Sequence, residues 1–443
     1  MPKLLSLLVA VLLTGSFAVG QTRKVITYHN EDRSAIKEIY FIKPDSSIVG
    51  YYNRYYPTGE REAFAKFVEG KKDSVFTEYY KNGNPRVKIT YVKNVKQGPF
   101  LAYHPDGRLM QEGQYENDQQ SQVFKTFYED GKLRKETSFV NGYPEGLMKE
   151  YYPDGKVKSE LYYKDRKQSG PAKTYYANGQ LETDANYRAG MLEGSYKTYY
   201  ENGQLQQEVN NVAGQKHGTF KSYYPDGKLS TEGGFAAGKM SGPSKSYYPG
   251  GQLRSQINYK NGEPAGTTQH FYEDGTLRES GTYSNNGADR KITTYYPSGN
   301  VKAEETYKNK LREGTWRTYF DAPGKKPETS LTYVKDKLHG DKLTYHENGQ
   351  VKTKDTYQND KVAGISYEYY PSGKVKSETM YKDGKKLGAF KQYFESGKEE
   401  ITGRFGNSKR VSTWKFYNEE GKLVKTTVYR NGEVVEEKLA EDK

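Results

Sequence analysis

Glycine returns at one position every 24 residues, and no other feature constrains this chain so strongly. The column runs through Gly59, Gly83, Gly107, Gly131, Gly155, Gly179, Gly203, Gly227, Gly251, Gly275 and Gly299. After a small insertion near Pro323-Gly324 it resumes at Gly349, Gly373, Gly397 and Gly421. A period of this length marks a repeat architecture, in which each unit is too small to bury its own apolar face and is stabilised by its neighbours. With a degenerate first copy beginning at Tyr28-His29-Asn30-Glu31-Asp32, the chain holds about seventeen units. The fullest runs from Gly146 through Tyr151-Tyr152-Pro153-Asp154-Gly155 to Tyr163.

The turn chemistry inside each unit is explicit. Tyr-Tyr-Pro-Asp-Gly and Tyr-Tyr-x-Asn-Gly suit a type I turn whose glycine takes the left-handed conformation before a strand begins. A second turn, Tyr-Lys-Asn-Gly-x-x-x-Gly, as in Tyr259 to Gly266, links one hairpin to the next. Between the turns the pattern alternates with period two, as strands do. Leu181, Thr183, Ala185 and Tyr187 point one way, and Glu182, Asp184 and Asn186 the other. Before the first turn one column reads aromatic, small, aromatic (Phe124/Thr126/Tyr128, Trp316/Thr318/Phe320). The alternate column reads Lys then Tyr. A Gly or Pro roughly every ten residues leaves no room for a helix.

The expected fold is therefore all-β: an elongated, solenoid-like, twisted antiparallel sheet of tandem β-hairpin repeats. Composition agrees. Only 33% of residues are hydrophobic, yet 44 are tyrosines and 46 glycines. A chain this polar but this aromatic is not built like a disordered one. Tyrosine suits a one-layer sheet, because its ring buries area while its hydroxyl stays in water.

The first twenty residues differ from the rest. Lys3 is followed by an apolar run from Leu4 to Leu13, too short to span a bilayer, and then by Ala18-Val19-Gly20 before Gln21, which fits a signal-peptidase site. The expected organisation is a signal peptide over 1–20, a degenerate N-terminal repeat and cap over 21–58, tandem repeats over 59–432 and a charged tail over 433–443. Such a chain is exported, to the periplasm, the cell surface or the medium, with no transmembrane span. The absence of cysteine excludes disulfides, thiol catalysis and cysteine-based metal sites.

The repeated unit Y-Y-x-[ND]-G-x-[LV]-x-x-E-x-x-Y-x-x-G-x-x-x-G resembles the MORN-repeat variant found in bacterial proteins of the YwqK antitoxin family. The resemblance covers roughly residues 28 to 432. It implies MORN-like hairpin repeats in an elongated sheet, no enzymatic activity, and a scaffold or protein-binding role of the antitoxin kind.

Nothing in the sequence reads as a catalytic constellation. The six histidines show no metal-ligand spacing, and His104 and His346 stand in for the second tyrosine of their units. Carboxylates recur in one column (Glu112, Glu136, Glu160, Asp184, Glu208, Glu232, Glu304, Glu378). A catalytic pair needs one special site, so the column reads instead as cross-strand partners for lysine. No cofactor is expected. The net charge of +13 is spread along the units, with Lys and Glu interspersed. The candidate binding stripe is the Lys/Tyr column: Lys149, Tyr151, Lys173, Tyr175, Lys197, Tyr199, Lys221, Tyr223, Lys245 and Tyr247. Its expected occupant is a protein partner, since tyrosine is good interface material. An envelope glycan or anionic lipid is the alternative, and nucleic acid is not expected.

Overall fold

The computed structural model describes residues 21–440. The expected signal peptide lies outside the described residues. These residues fall into two compact units. One ends at Lys216 and also holds Pro225–Gly227; the other comprises His217–Tyr224 and everything from Lys228. Among the described residues there is no helix. Each unit is an open sheet in which strands consecutive in sequence pair antiparallel. Arg23–Tyr28 is the first strand of one, paired with Ile36–Ile42. Glu433–Leu439 is the last strand of the other, paired with Leu423–Arg430. The segment from Glu433 to Leu439, read from sequence as part of a charged tail, thus continues the sheet. The Asn431-Gly432 turn folds it back, and every one of its side chains is exposed.

Both turns form as their residues dictate. In Tyr152-Pro153-Asp154-Gly155 the Gly155 amide donates to the Tyr152 carbonyl at 2.8 Å, and the Tyr152 amide to the Lys156 carbonyl at 2.8 Å. Gly155 has φ +89°, and the register slips one residue between Glu150 and Tyr151. This is a type I turn closed by a bulge at a left-handed glycine. The second turn is tighter. Asn261 and Gly262 both have positive φ, 55° and 89°, and Lys260 lies directly opposite Glu263. That is a two-residue type I′ connection, whose twist matches that of the strands it joins.

The two faces of the sheet differ. On one, the aromatic column packs by exchanging large for small across strands. Phe100 and Phe124 lie stacked at 6.0 Å over the glycine between them. A Cβ on Gly113 would stand 2.5 Å from the Phe124 ring. Phe390 and Trp414 repeat the arrangement at 5.3 Å over Gly403, where a Cβ would meet the Trp414 ring at 2.3 Å. Volume is conserved elsewhere, with Ala172 opposite Ala185 and Thr268 opposite Gly281. The core is one side chain deep, and among the described residues the largest fully buried side chains are Trp414, Val209, Thr268 and Thr427.

Neighbouring repeats are clamped along the Pro-Asp-Gly edge by the second tyrosine of each turn. Its hydroxyl was expected to stay in water. Instead it donates to the carbonyl of the first tyrosine-column residue of the next repeat, 23 residues on. Tyr56, Tyr80, Tyr128, Tyr152 and Tyr176 do so in the first unit, at 2.6–2.8 Å. Tyr224, Tyr248, Tyr272, Tyr296 and Tyr370 do so in the second, at 2.7–3.0 Å. The accepting carbonyl lies just past the last registered pair between the repeats (Lys135 with Glu150, for Tyr151). The strand ladder has ended there, and the phenol supplies the missing donor. His346 substitutes through Nε2 at 3.0 Å from the Tyr369 carbonyl, whereas Nε2 of His104 is buried without a partner.

A second stitch runs beside the first and alternates in kind. Where the turn reads Asn-Gly, the Asn amide donates to the next turn: Asn82 to Pro105, Asn178 to Glu201, Asn202 to Pro225, Asn348 to Pro371. Aspartate has no donor. In Asp-Gly-Lys turns the lysine after the glycine reaches across instead, Lys132 to Pro153 and Lys156 to Ala177. The two turn sequences are thus alternative solutions to one hydrogen bond. Replacing Lys132 and Lys156 together by Ala should lower the unfolding free energy read from urea titration by about 0.5–1.5 kcal/mol per lost bond, at most. Adding Asp130→Asn and Asp154→Asn to that variant should recover most of the loss. If it does not, the side-chain bonds contribute nothing to stability.

Candidate functional site: a lattice of lysine, carboxylate and tyrosine

The other face carries the candidate stripe, and the strand register places the carboxylate column on that same face. In the first unit the directly opposed residues alternate without a break: Glu112, Lys125, Glu136, Lys149, Glu160, Lys173, Asp184, Lys197, Glu208. Every lysine in this row has a carboxylate on either side. The second unit opens with Lys221, Glu232 and Lys245. It passes through neutral residues such as Gln256 and Gln269, and the charged pairing returns at Glu304–Arg317 and Glu378–Lys391. The period-two alternation forces this: opposed residues share a face, and a 24-residue repeat presents the same pair each time.

The geometry is that of partly solvated pairs. Lys149 lies 3.0 Å from Glu160, with side chains 30% and 28% exposed. Lys125 lies 3.4 Å from Glu112. At such exposure each pair is worth about 0.2–1 kcal/mol.

The first tyrosine of each turn completes the lattice. Its hydroxyl donates to the carboxylate 15 residues earlier. Tyr151 bonds Glu136 at 2.6 Å, Tyr175 bonds Glu160 at 3.2 Å, and Tyr247 bonds Glu232 at 2.8 Å. Tyr319 bonds Glu304 at 2.7 Å, and Tyr393 bonds Glu378 at 3.2 Å. Tyr199 and Tyr223 hold the same place beside Leu205 and Leu229, and the Tyr199 carbonyl accepts the Tyr176 clamp. The insertion also reaches this row, Lys325 bonding Glu304 at 2.7 Å. The predicted stripe residues are therefore gathered on one face within each unit, but as a charge-balanced net and not as a bare cationic strip.

The electrostatics follow from this packing. Partial burial, then the hydrogen bond to Glu136 and its charge, push the Tyr151 phenol up to about 12. Burial and the bond to Glu304 do the same for Tyr319, also to about 12. Tyr175, Tyr247 and Tyr393 are raised, with burial the first cause in each. On the acid side, the Lys149 hydrogen bond holds Glu160 below the usual glutamate range. Among the described residues no group of three or more His, Cys, Asp and Glu is placed to hold a metal ion, and no helix is long and apolar enough to cross a membrane.

Comparison with known proteins agrees with this architecture. The MORN repeat variant family matches residues 72–93, 96–117, 123–141, 144–165, 168–189, 192–210, 216–236, 240–261, 265–285, 291–309, 338–359, 364–383 and 410–437. These segments make up more than half of the chain, and the protein belongs to that family. No characterised protein sequence matches it. Among solved structures, it is similar to a chain of the TcdB2-TccC3-Cdc42 crystal structure at 12% identity, covering 91% of this chain and 24% of that one with a TM-score of 0.15. It is similar to the TcdB2-TccC3 structure at 13% identity, covering 94% and 26%, with a TM-score of 0.14. The Photorhabdus luminescens Tc holotoxin pore gives 11%, 91%, 24% and 0.13. The protein thus spans about a quarter of the chains it matches.

A raised phenol pKa gives a pH dependence of known sign. The neutral phenol is the form the fold favours, so this contribution is complete below the unfolded tyrosine value near about 10 and is lost as pH rises through about 12. Stability should therefore decline over that alkaline window. Ultraviolet phenolate titration should show a group of tyrosines ionising late. In Glu136→Gln the Tyr151 transition should move down; a titration unchanged by that substitution would remove Glu136 as a cause.

Proposed function

We propose that this MORN repeat protein is an exported, non-catalytic scaffold that binds other proteins across the lysine–carboxylate–tyrosine face. The observation that carries the reading is repetition of the face itself. Lysine–carboxylate pairs and phenol–carboxylate bonds recur in register along much of the face. A catalytic centre has one pair of groups pushed apart in pKa. A docking face instead needs many equivalent polar contacts held in place beforehand, which lowers the ordering cost of association. Tyrosine and paired charge, spaced by the repeat, supply that.

Export rests on the apolar run from Leu4 to Leu13 and the small residues before Gln21. The resemblance of the repeated unit to that of YwqK-type antitoxins supports reading a toxin as one protein such a face would take, met outside the cytoplasm or during export.

The test is capture from the native cell envelope, with residues 21–443 as bait and a Lys149→Ala, Lys173→Ala, Lys197→Ala variant as control. These positions are surface partners, so the variant should keep its far-ultraviolet circular dichroism. One protein recovered in stoichiometric amount with the wild type, identified by mass spectrometry and lost with the variant, is the expected result. Glycan or anionic lipid recovered without such a protein would replace this reading with an envelope-binding module; anionic lipid would also be released by salt. Protein isolated from the same envelope should begin at Gln21, and a retained Met1 would remove the cleaved-signal part of the proposal.

A further inference from the structure

The row beside the lattice, on the same face toward the type I′ turns, holds at least one polar residue in most opposed pairs. Its pairs include Pro171 with Asn186, Ser195 with Asn210, Thr267 with Thr282 and Asp341 with Thr356. Leu147 opposes Tyr162 in the first unit, and in the second unit one pair is wholly aliphatic. Ile365 opposes Met380, and both are exposed, at 40% and 44%. Leu387, on the following strand, is exposed as well, and Ala389 beside it faces Arg404. Together these residues line a recess of about 780 Å³.

Two further observations mark this place. First, the residue before the second glycine of the I′ segment caps the next turn in some repeats. Glu145 accepts the Asp165 amide at 3.1 Å, Glu193 the Ala213 amide at 2.9 Å, and Glu313 the Lys335 amide at 2.9 Å. At the recess that position is Ala363 and then Leu387, which cannot accept such a bond and present apolar surface instead. Second, the family match stops at 383 and resumes at 410. Leu387, Ala389 and Arg404 thus lie in a repeat that keeps the register but that the family model does not match.

The rim carries excess cation. Lys382 opposes Lys385 across the turn, a like-charge pairing that weakens a hairpin. Neither these two nor Arg404 forms an ion pair in the described residues. Lys391 is matched by Glu399 at 2.9 Å, and Glu378 accepts the Tyr393 hydroxyl. Asp383 is the one other carboxylate lining the recess.

We propose that this recess is a docking site for a partner-protein segment that inserts one bulky apolar side chain and sets a neighbouring Asp or Glu carboxylate against Arg404 and Lys382. The recess is concave, so it receives a side chain, and a guanidinium at its edge offers two parallel donors to a carboxylate. A membrane surface needs an apolar protrusion, which this is not. The proposal rests on the scaffold reading above but names a separate place in the chain.

The test pans the full chain from Gln21 against a random-peptide phage library. The expected consensus joins a large apolar residue to an acidic one. Binding of the enriched peptide should fall by about tenfold or more in Met380→Glu and in Arg404→Glu. It should persist in the Lys149/Lys173/Lys197→Ala variant, so failure of the lattice reading and of this one are read apart. Leu387→Glu should also abolish binding without lowering the melting temperature, because a glutamate there can make the cap that Glu145, Glu193 and Glu313 make; that variant separates loss of the site from loss of fold. No enrichment, a consensus without an acidic residue, or binding indifferent to Met380→Glu would each overturn the proposal. So would phosphatidylglycerol–phosphatidylcholine vesicles that sediment the wild type but not Met380→Glu, which would make the recess a lipid contact.

Discussion

The hydroxyl of the second tyrosine of the type I turn, bonded in most repeats to a carbonyl 23 residues ahead, is the side-chain contact on which the joining of turn to turn depends. An antiparallel ladder can join two strands only as far as both are present. At the turn edge one strand ends before its neighbour, leaving an acceptor without a donor. The phenol reaches that acceptor from the adjoining repeat, so one side chain ties the turn of one unit to the strand of the next. A single such bond adds only about 0.5–1.5 kcal/mol, but the same bond recurs at Tyr56, Tyr128, Tyr224 and Tyr370. In a quasi-one-dimensional protein, stability is a sum over interfaces of this kind.

A clamp of this type is needed because the core is thin. A one-layer sheet cannot bury aliphatic side chains deeply, so the chain uses few of them. Rings lie over glycines instead, as Phe124 does over Gly113 and Trp414 over Gly403. That geometry gains ring area without a second layer, at the cost that a methyl group on either glycine has nowhere to go. The opposite face contributes little hydrophobic stabilisation. It is held by opposed charges and by phenol–carboxylate bonds, and so remains open to solvent and to a partner.

Much of this was legible in the sequence because it is local. The two turns follow from Gly, Asn and Asp at positions that need positive φ, and the lysine–carboxylate pairing follows from period two. What could not be read depends on which residues the sheet brings together. The partner of Tyr152 is a carbonyl 23 residues away, and its availability depends on where a neighbouring strand stops. Tyrosine seemed suited to keeping its hydroxyl wet for the same reason: the sequence shows the ring but not the acceptor. Glu433 to Leu439 looked like a tail because its valines are few and its charges many, yet Asn431-Gly432 carries the same turn signal as Asn141-Gly142 and Asn261-Gly262. The recess escaped notice because Ile365, Met380, Leu387 and Arg404 sit on four different strands.

In a repeat protein the informative residues are those that break the local rule without repairing it. Exchanging Asn-Gly for Asp-Gly-Lys breaks the pattern and is repaired within three residues, since Lys156 makes the bond that an asparagine would have made. His346 breaks it and is repaired by its own ring nitrogen. The recess is a different kind of departure: Ile365, Met380 and Leu387 stay exposed, and Lys382 and Arg404 beside them line the same hollow with no carboxylate partner among the described residues. Apolar area and unpaired cation in one place do nothing for packing within the sheet. A docking site uses both.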